Sequence, residues 1–361
     1  MLWICLFICC LLSCVRYTQA NFASLQSSPS NGLAVATSLD GFIYVTGDST
    51  GNSGSEDIFL TKWDSNGNII WTKLLGTPQT DVGNSVSVSP DGLFIYVTGY
   101  TTGNLSNQIN AGSYDIFLTK WDSNGNLIWT KLLGTPQYDV GFSASVSPDG
   151  LFIFVTGATA GNLSNQINAG SEDIFLTKWD SNGNIIWTKL LGTSQYDIGF
   201  SASVSPDGLF IYVTGETAGN LNNQINAGGA DMFLTKWDSN GNIIWTKLLG
   251  TPQYDYGNSV SVSPDGLFIF VTGYTDGNLS GKINAGSYDI FLTKWDSNGN
   301  LIWTQLYGTP SADYGVGMSI NSNNSFVYIT GYTFGNLSGQ INANTGSSEA
   351  FLIQNSNPFT G

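Results

Sequence analysis

The chain is 361 residues long, with 10% charged side chains, 41% hydrophobic ones, 44 glycines and a formal net charge of −15. This composition excludes a disordered acidic tail and a coiled coil, and the acidic balance argues against nucleic acid or an anionic lipid surface as partner. There is no histidine, the four cysteines (Cys5, Cys9, Cys10 and Cys14) crowd into the first fourteen residues, and Arg16 is the only arginine. Past residue 20, imidazole bases, thiolate nucleophiles, His/Cys metal sites and arginine phosphate clamps are therefore unavailable.

Leu2 to Leu12 is an apolar run too short to cross a bilayer, and Thr18-Gln19-Ala20 follows as a small-x-small cleavage pattern. Together they predict a signal peptide over 1–20 and a single exported domain over 21–361. A lipoprotein site at Leu11-Leu12-Ser13-Cys14 is the rival reading, but no Lys or Arg stands in the n-region. No later stretch is apolar enough to span a membrane.

From there a repeat organises the chain. Asp-Ile-Phe-Leu-Thr-Lys-Trp begins at Asp57, Asp115, Asp173, Asp231 and Asp289, with Met at 232, and each step is 58 residues. Periods of that size signal propellers, solenoids or arrays. Within one unit, four runs enriched in β-branched and aromatic residues lie between turn residues: Asn84 to Val88, Phe94 to Thr98, Asp115 to Trp121 and Leu127 to Leu133. Ser89-Pro90-Asp91-Gly92 and Asp122-Ser123-Asn124-Gly125-Asn126 are tight-turn sequences, so consecutive strands should pair antiparallel as in a propeller blade. The connections Gly99 to Tyr114 and Gly134 to Gly141 are longer. The Phe-Ile-Tyr-Val-Thr-Gly strand occurs six times, from Phe42, Phe94, Phe152, Phe210, Phe268 and Phe326, whereas the outer Trp strand occurs five times. The expectation is an all-β, six-bladed propeller of four-stranded antiparallel blades. Residues 21–26 would supply the last blade's outer strand beside Glu349 to Ile353, in an interleaved closure.

The unit from Asp81 through Ser-Val-Ser-Pro-Asp-Gly to Tyr100-Thr101, followed by Asp-Ile-Phe-Leu-Thr-Lys-Trp-Asp-Ser-Asn-Gly-Asn, closely resembles the β-propeller repeats called SBBP. The resemblance covers essentially all of 21–361. It implies a propeller in an exported or cell-surface protein, and it supplies no agreed ligand and no catalytic residues. Those repeats are usually described as seven-bladed; the count here is six.

Candidate residues follow from the repeat. Asp81, Asp139, Asp197, Asp255 and Asp313 precede the first strand of five blades and should ring one mouth of the propeller. Each would cap its own turn, with a calcium ring as the competing reading; no cofactor is otherwise expected. Tyr138, Tyr196 and Tyr254 stand beside that ring on the face of the long connections, the natural place for a ligand. Two tryptophan columns, Trp63 with its copies and Trp71 with its copies, could stack sugars, but packing between blades is favoured. Asn104, Asn162, Asn278, Asn323 and Asn336 head glycosylation sequons.

The near-identity of the blades disfavours an enzyme. The functional expectation is a secreted or cell-surface, monomeric, non-catalytic module that binds an extracellular glycan, matrix or protein ligand, multivalently through equivalent sites. A purely structural extracellular protein is one alternative. The other is a polysaccharide hydrolase or lyase, for which Glu216, present in one blade only, is the place to look.

Overall fold

The computed structural model describes residues 30–50, 55–342 and 347–356. The expected leader (1–20) and closing strand (21–26) lie outside the described residues. The fold is a six-bladed β-propeller. Five sheets have four strands in chain order, and the sixth has three among the described residues. Blade 2 is representative: its strands are Asp81–Val88, Phe94–Thr101, Asp115–Asp122 and Leu127–Leu133, and each pairs antiparallel with the next. No helix among the described residues is long and apolar enough to cross a membrane.

The chain divides into two compact units. Blades 1 to 3 lie in the first, which ends at Asn168 and resumes over Phe175–Leu190; Ala169–Ile174 and Leu191–Gly361 form the second, with blades 4 to 6.

Three strands run longer than the sequence reading gave them, the third only by Asp122. The first begins at Asp81 rather than Asn84, and the second ends at Thr101 rather than Thr98. A bulge between Gly83 and Ser85 lets pairing continue to Asp81 opposite Thr101. The strands approach so closely there that a Cβ on Gly99 would lie 1.9 Å from the Val82 carbonyl oxygen. At the other end of the hairpin, Gly92 turns the chain with φ +72°, and the Ser89 hydroxyl accepts from the Phe94 N–H at 2.9 Å.

The second and third strands are buried on both faces, as strands between neighbouring sheets must be. In the first unit Tyr96, Ile116 and Leu118 of blade 2 pack with Ala144, Ile153, Val155 and Trp179 of blade 3. In the second, Tyr212, Met232 and Leu234 of blade 4 meet the same positions of blade 5, Val260, Ile269, Val271 and Trp295. Each large side chain buried this way stabilises the fold by about 1.5–3 kcal/mol. Both tryptophan columns take part. Trp121 is 4% exposed and donates Nε1–H to Thr119 Oγ1 at 2.9 Å. Trp71 covers the Gly125 turn of the next blade and donates to the Ser123 carbonyl at 3.4 Å.

Candidate functional site

Asp81, Asp139, Asp197, Asp255 and Asp313 are fully buried. In each blade one carboxylate oxygen accepts two bonds from a threonine four residues earlier. For Asp197 these come from Thr193 N–H at 2.6 Å and Thr193 Oγ1 at 2.9 Å, while Thr217 Oγ1 donates to the other oxygen. Asp81, Asp139, Asp255 and Asp313 are held by Thr77 and Thr101, Thr135 and Thr159, Thr251 and Thr275, and Thr309 and Thr333. These carboxylates clamp the connection before the first strand to the end of the second. Among the described residues no three acidic side chains gather as a metal site.

Directly around these clamps lies the layer in which the blades differ. The residue before each clamp is Thr80, Tyr138, Tyr196, Tyr254 or Ala312, and the residue after the second strand's last glycine is Asp48, Tyr100, Ala158, Glu216, Tyr274 or Tyr332. Backbone bonds bring the layer together. The clamp N–H of one blade donates to the residue that precedes the third strand of the blade before it, as in Asp139 N–H to the Tyr114 carbonyl at 3.0 Å and Asp197 N–H to the Glu172 carbonyl at 2.7 Å. Tyr114 thereby bridges Tyr138, and Glu172 bridges Tyr196.

The predicted tyrosines are divided between the units. In the first, Tyr138 joins Tyr114 and Tyr100, with successive ring centroids 5.0 Å apart. In the second, Tyr254 stacks on Tyr256 at 6.3 Å, and Tyr256, Tyr274, Tyr314 and Tyr332 continue the row at 4.6 to 4.8 Å. Tyr288 packs edge-on against Tyr274 at 5.2 Å. Tyr254 is 45% exposed, and Tyr138 and Tyr196 are half-buried.

Glu216 lies near the end of the second strand of blade 4. The Gly215 Cα lies against the Ile198 carbonyl, where a Cβ would come within 1.8 Å of the oxygen, and this close pairing sets Glu216 opposite Ile198. Glu216 is 6% exposed, and its Oε2 has no hydrogen-bond partner. Burial, with the charges of Glu172 and Asp197 adding to it, pushes its carboxyl up to about 8. Burial raises Glu172 as well. Tyr196, Tyr256, Tyr274 and Tyr288 are all raised, first by burial and then by neighbours that include Glu216.

Residues 70–106 and 244–280 match the family model of the SBBP β-propeller repeat. The regulatory protein FlaEY of Caulobacter vibrioides is 26% identical over 167 residues, 42% of this chain and 17% of that protein. An uncharacterized WD repeat-containing protein, L264, of Acanthamoeba polyphaga mimivirus is 25% identical over 277 residues, 71% of this chain and 19% of that protein. The chain thus spans less than a fifth of either relative. Among solved structures, Kuenenia stuttgartiensis hydrazine synthase superposes with a TM-score of 0.58 at 16% identity, covering 88% of this chain and 80% of that one. At that identity the likeness is one of fold.

The hairpin carboxylates of the repeat are framework. The Asp64 carboxylate accepts from Asn66 N–H, Asn68 N–H and Asn68 Nδ2, closing its hairpin turn. Asn104, Asn162, Asn278, Asn323 and Asn336 are all exposed. One set was missed in the sequence, the aspartates that open the third strands. Asp115 accepts from the Ala111 N–H at 2.7 Å through Oδ2, but Oδ1 of Asp115, Asp173, Asp231 and Asp289 is buried without a partner. Burial, outweighing that bond, raises Asp115, Asp173 and Asp231 to about 6. The second tyrosine cluster was also missed beyond Tyr196 and Tyr254. A position-by-position comparison of the repeats carries its signal, because the places held by Tyr256, Tyr274, Tyr288 and Glu172 change residue from blade to blade, as in Asp48, Tyr100, Ala158, Glu216, Tyr274 and Tyr332.

Proposed function

We propose that the chain is an exported, non-catalytic binding module that holds a carbohydrate ligand against the tyrosine row of the second unit. One observation carries this reading: copies of a closely similar repeat diverge in the layer around the clamps, and there several of them install tyrosines whose rings remain partly open. Aromatic faces on a rigid sheet suit sugar rings, and the tyrosine's polar tip suits their hydroxyls. The names of the two curated relatives, a regulatory protein and a WD repeat-containing protein, support an interaction role. The layer differs from blade to blade, so one asymmetric site is proposed in place of several equivalent ones.

A glycan array followed by calorimetry on the hit tests this. A Tyr196→Ala, Tyr254→Ala double variant should bind about tenfold more weakly, a loss of roughly 1.4 kcal/mol, while Tyr138→Ala in the other unit should not. A blank array with folded protein, or an affinity indifferent to the double variant, overturns the proposal.

A second reading has its own support. Glu216, raised by burial to about 8, with the charge of the more exposed Glu172 adding to the shift, offers a protonated acid and a second carboxylate of the kind glycoside hydrolysis uses. It predicts release of reducing ends from a bound polysaccharide, abolished by Glu216→Gln. Binding without release rejects it.

A further inference from the structure

The state of Glu216 calls for an explanation that carbohydrate stacking alone does not supply. A buried acceptor without a donor costs about 1–3 kcal/mol, and its cross-strand neighbours, Ile198 and Met232, bring no polar side chain. The groups that act on it are acids and phenols. Glu172, before the third strand of blade 3, is bridged to Tyr196, two residues from the Ile198 that faces Glu216; Tyr256, Tyr274 and Tyr288 pack ring against ring, and the Glu216 charge acts on these tyrosines as those of Glu172 and Asp197 act on it. Asp197 is fully engaged by its threonines. No cation is among the groups that shift Glu216.

We infer that Glu216 and Glu172, walled by Tyr196, Tyr256 and Tyr288, receive a primary ammonium group of the ligand, which makes the preferred carbohydrate one with free amino groups, of the glucosamine type. This rests on the carbohydrate reading above.

Three considerations select that chemistry. Calcium needs six to eight oxygens, whereas two carboxylates among ring walls offer too few. A quaternary ammonium suits the rings but has no N–H to give Glu216 Oε2; a primary ammonium satisfies both. The fold itself buries an ammonium this way in the same unit: Lys236 Nζ lies 3.9 Å from the Phe210 ring centroid and donates to the Ser297 carbonyl at 3.0 Å.

A proton balance follows. Glu216 begins as the neutral acid near pH 7. On binding, its O–H bond breaks, the proton leaves to buffer, and the carboxylate accepts the ligand's N–H; no covalent bond forms to the ligand. Binding should therefore strengthen as pH rises from 6 toward 8, until the ligand's own amine deprotonates.

The experiment is calorimetry on the full chain in two buffers of different ionisation enthalpy. The probes are a fully deacetylated glucosamine tetramer, its N-acetylated counterpart, cadaverine and calcium chloride. The expected result is at least tenfold tighter binding of the deacetylated tetramer, proton release near pH 7, and loss of the discrimination in Glu216→Gln. A second variant, Ile198→Asn, keeps the carboxylate but offers it an internal donor, and should weaken the amine without abolishing it. Equal affinity for the two tetramers overturns the ammonium site and leaves the carbohydrate reading standing. Binding of cadaverine with proton release, and of neither tetramer, supports the ammonium site and overturns the carbohydrate reading. Calcium binding that disappears in Glu216→Gln overturns the inference.

Discussion

Asp48 of blade 1 and Glu216 of blade 4 occupy the same place in the repeat, after the last glycine of the second strand, yet the two acids are treated differently. Across the strand pair Asp48 faces Asn31, whose Nδ2 donates to its carboxylate at 2.9 Å. Glu216 faces Ile198 and keeps an oxygen unpartnered. Each acid acts on a tyrosine cluster of its own unit: Asp48 and Glu56 on Tyr100, which burial and those charges push up to about 12, and Glu216 on Tyr196 and its neighbours. One cross-strand residue separates an acid that the fold satisfies from one left for something else.

If the difference lies in that layer alone, the framework beneath should respond identically in both units. Asp81→Ala and Asp197→Ala each strand the Thr N–H and two hydroxyls that the clamp held. Both should cost roughly 2–4 kcal/mol in urea unfolding. A much smaller loss for Asp197→Ala would mean that the second unit is organised by its cluster rather than by its clamp.

The framework was legible in the sequence because it is repeated. Five copies of one heptapeptide and turn sequences such as Asp122 to Asn126 set the strand order, and Asp81 and its copies stood where a cap belongs. The site was legible only in pieces, since it is made where the repeat breaks. Tyr196 and Tyr254 were visible from their place on the face of the long connections and Glu216 as an acid of one blade only, but Glu172 lies more than forty residues before Glu216 and meets its neighbourhood through one interblade backbone bond, from Asp197 N–H. No period reports such a bond. The unpartnered oxygens of Asp115 and Glu216 were hidden for another reason: composition counts carboxylates and leaves out their partners.

Asn31→Ile should convert the first acid into the second kind. Asp48 is already raised by burial and held down in part by Asn31, so losing the amide raises its folded-state value further. An acid raised on folding contributes most at low pH and loses that contribution as pH climbs from its unfolded value to its folded one. The variant should therefore match wild type near pH 4 and be about 1–2 kcal/mol less stable at pH 8. An equal loss at both pH values would point to packing, not to the carboxylate.

Ile198→Asn is the reverse exchange and the subtlest. In the wild type Glu216 rises from its ordinary 4.5 to about 8 on folding, so stability is drained across that interval as the unfolded chain ionises and the folded one does not. An amide donor at 198 favours the carboxylate and lowers its folded-state value, which narrows the interval. At pH 5 the variant should be the less stable protein, because an amide replaces a half-buried aliphatic side chain. Between pH 5 and pH 8 that deficit should shrink by about 1 kcal/mol, read as the difference between two urea midpoints at each pH. A constant deficit would show that the asparagine does not reach Glu216, and that the register opposite Ile198 is not what leaves this acid unpartnered.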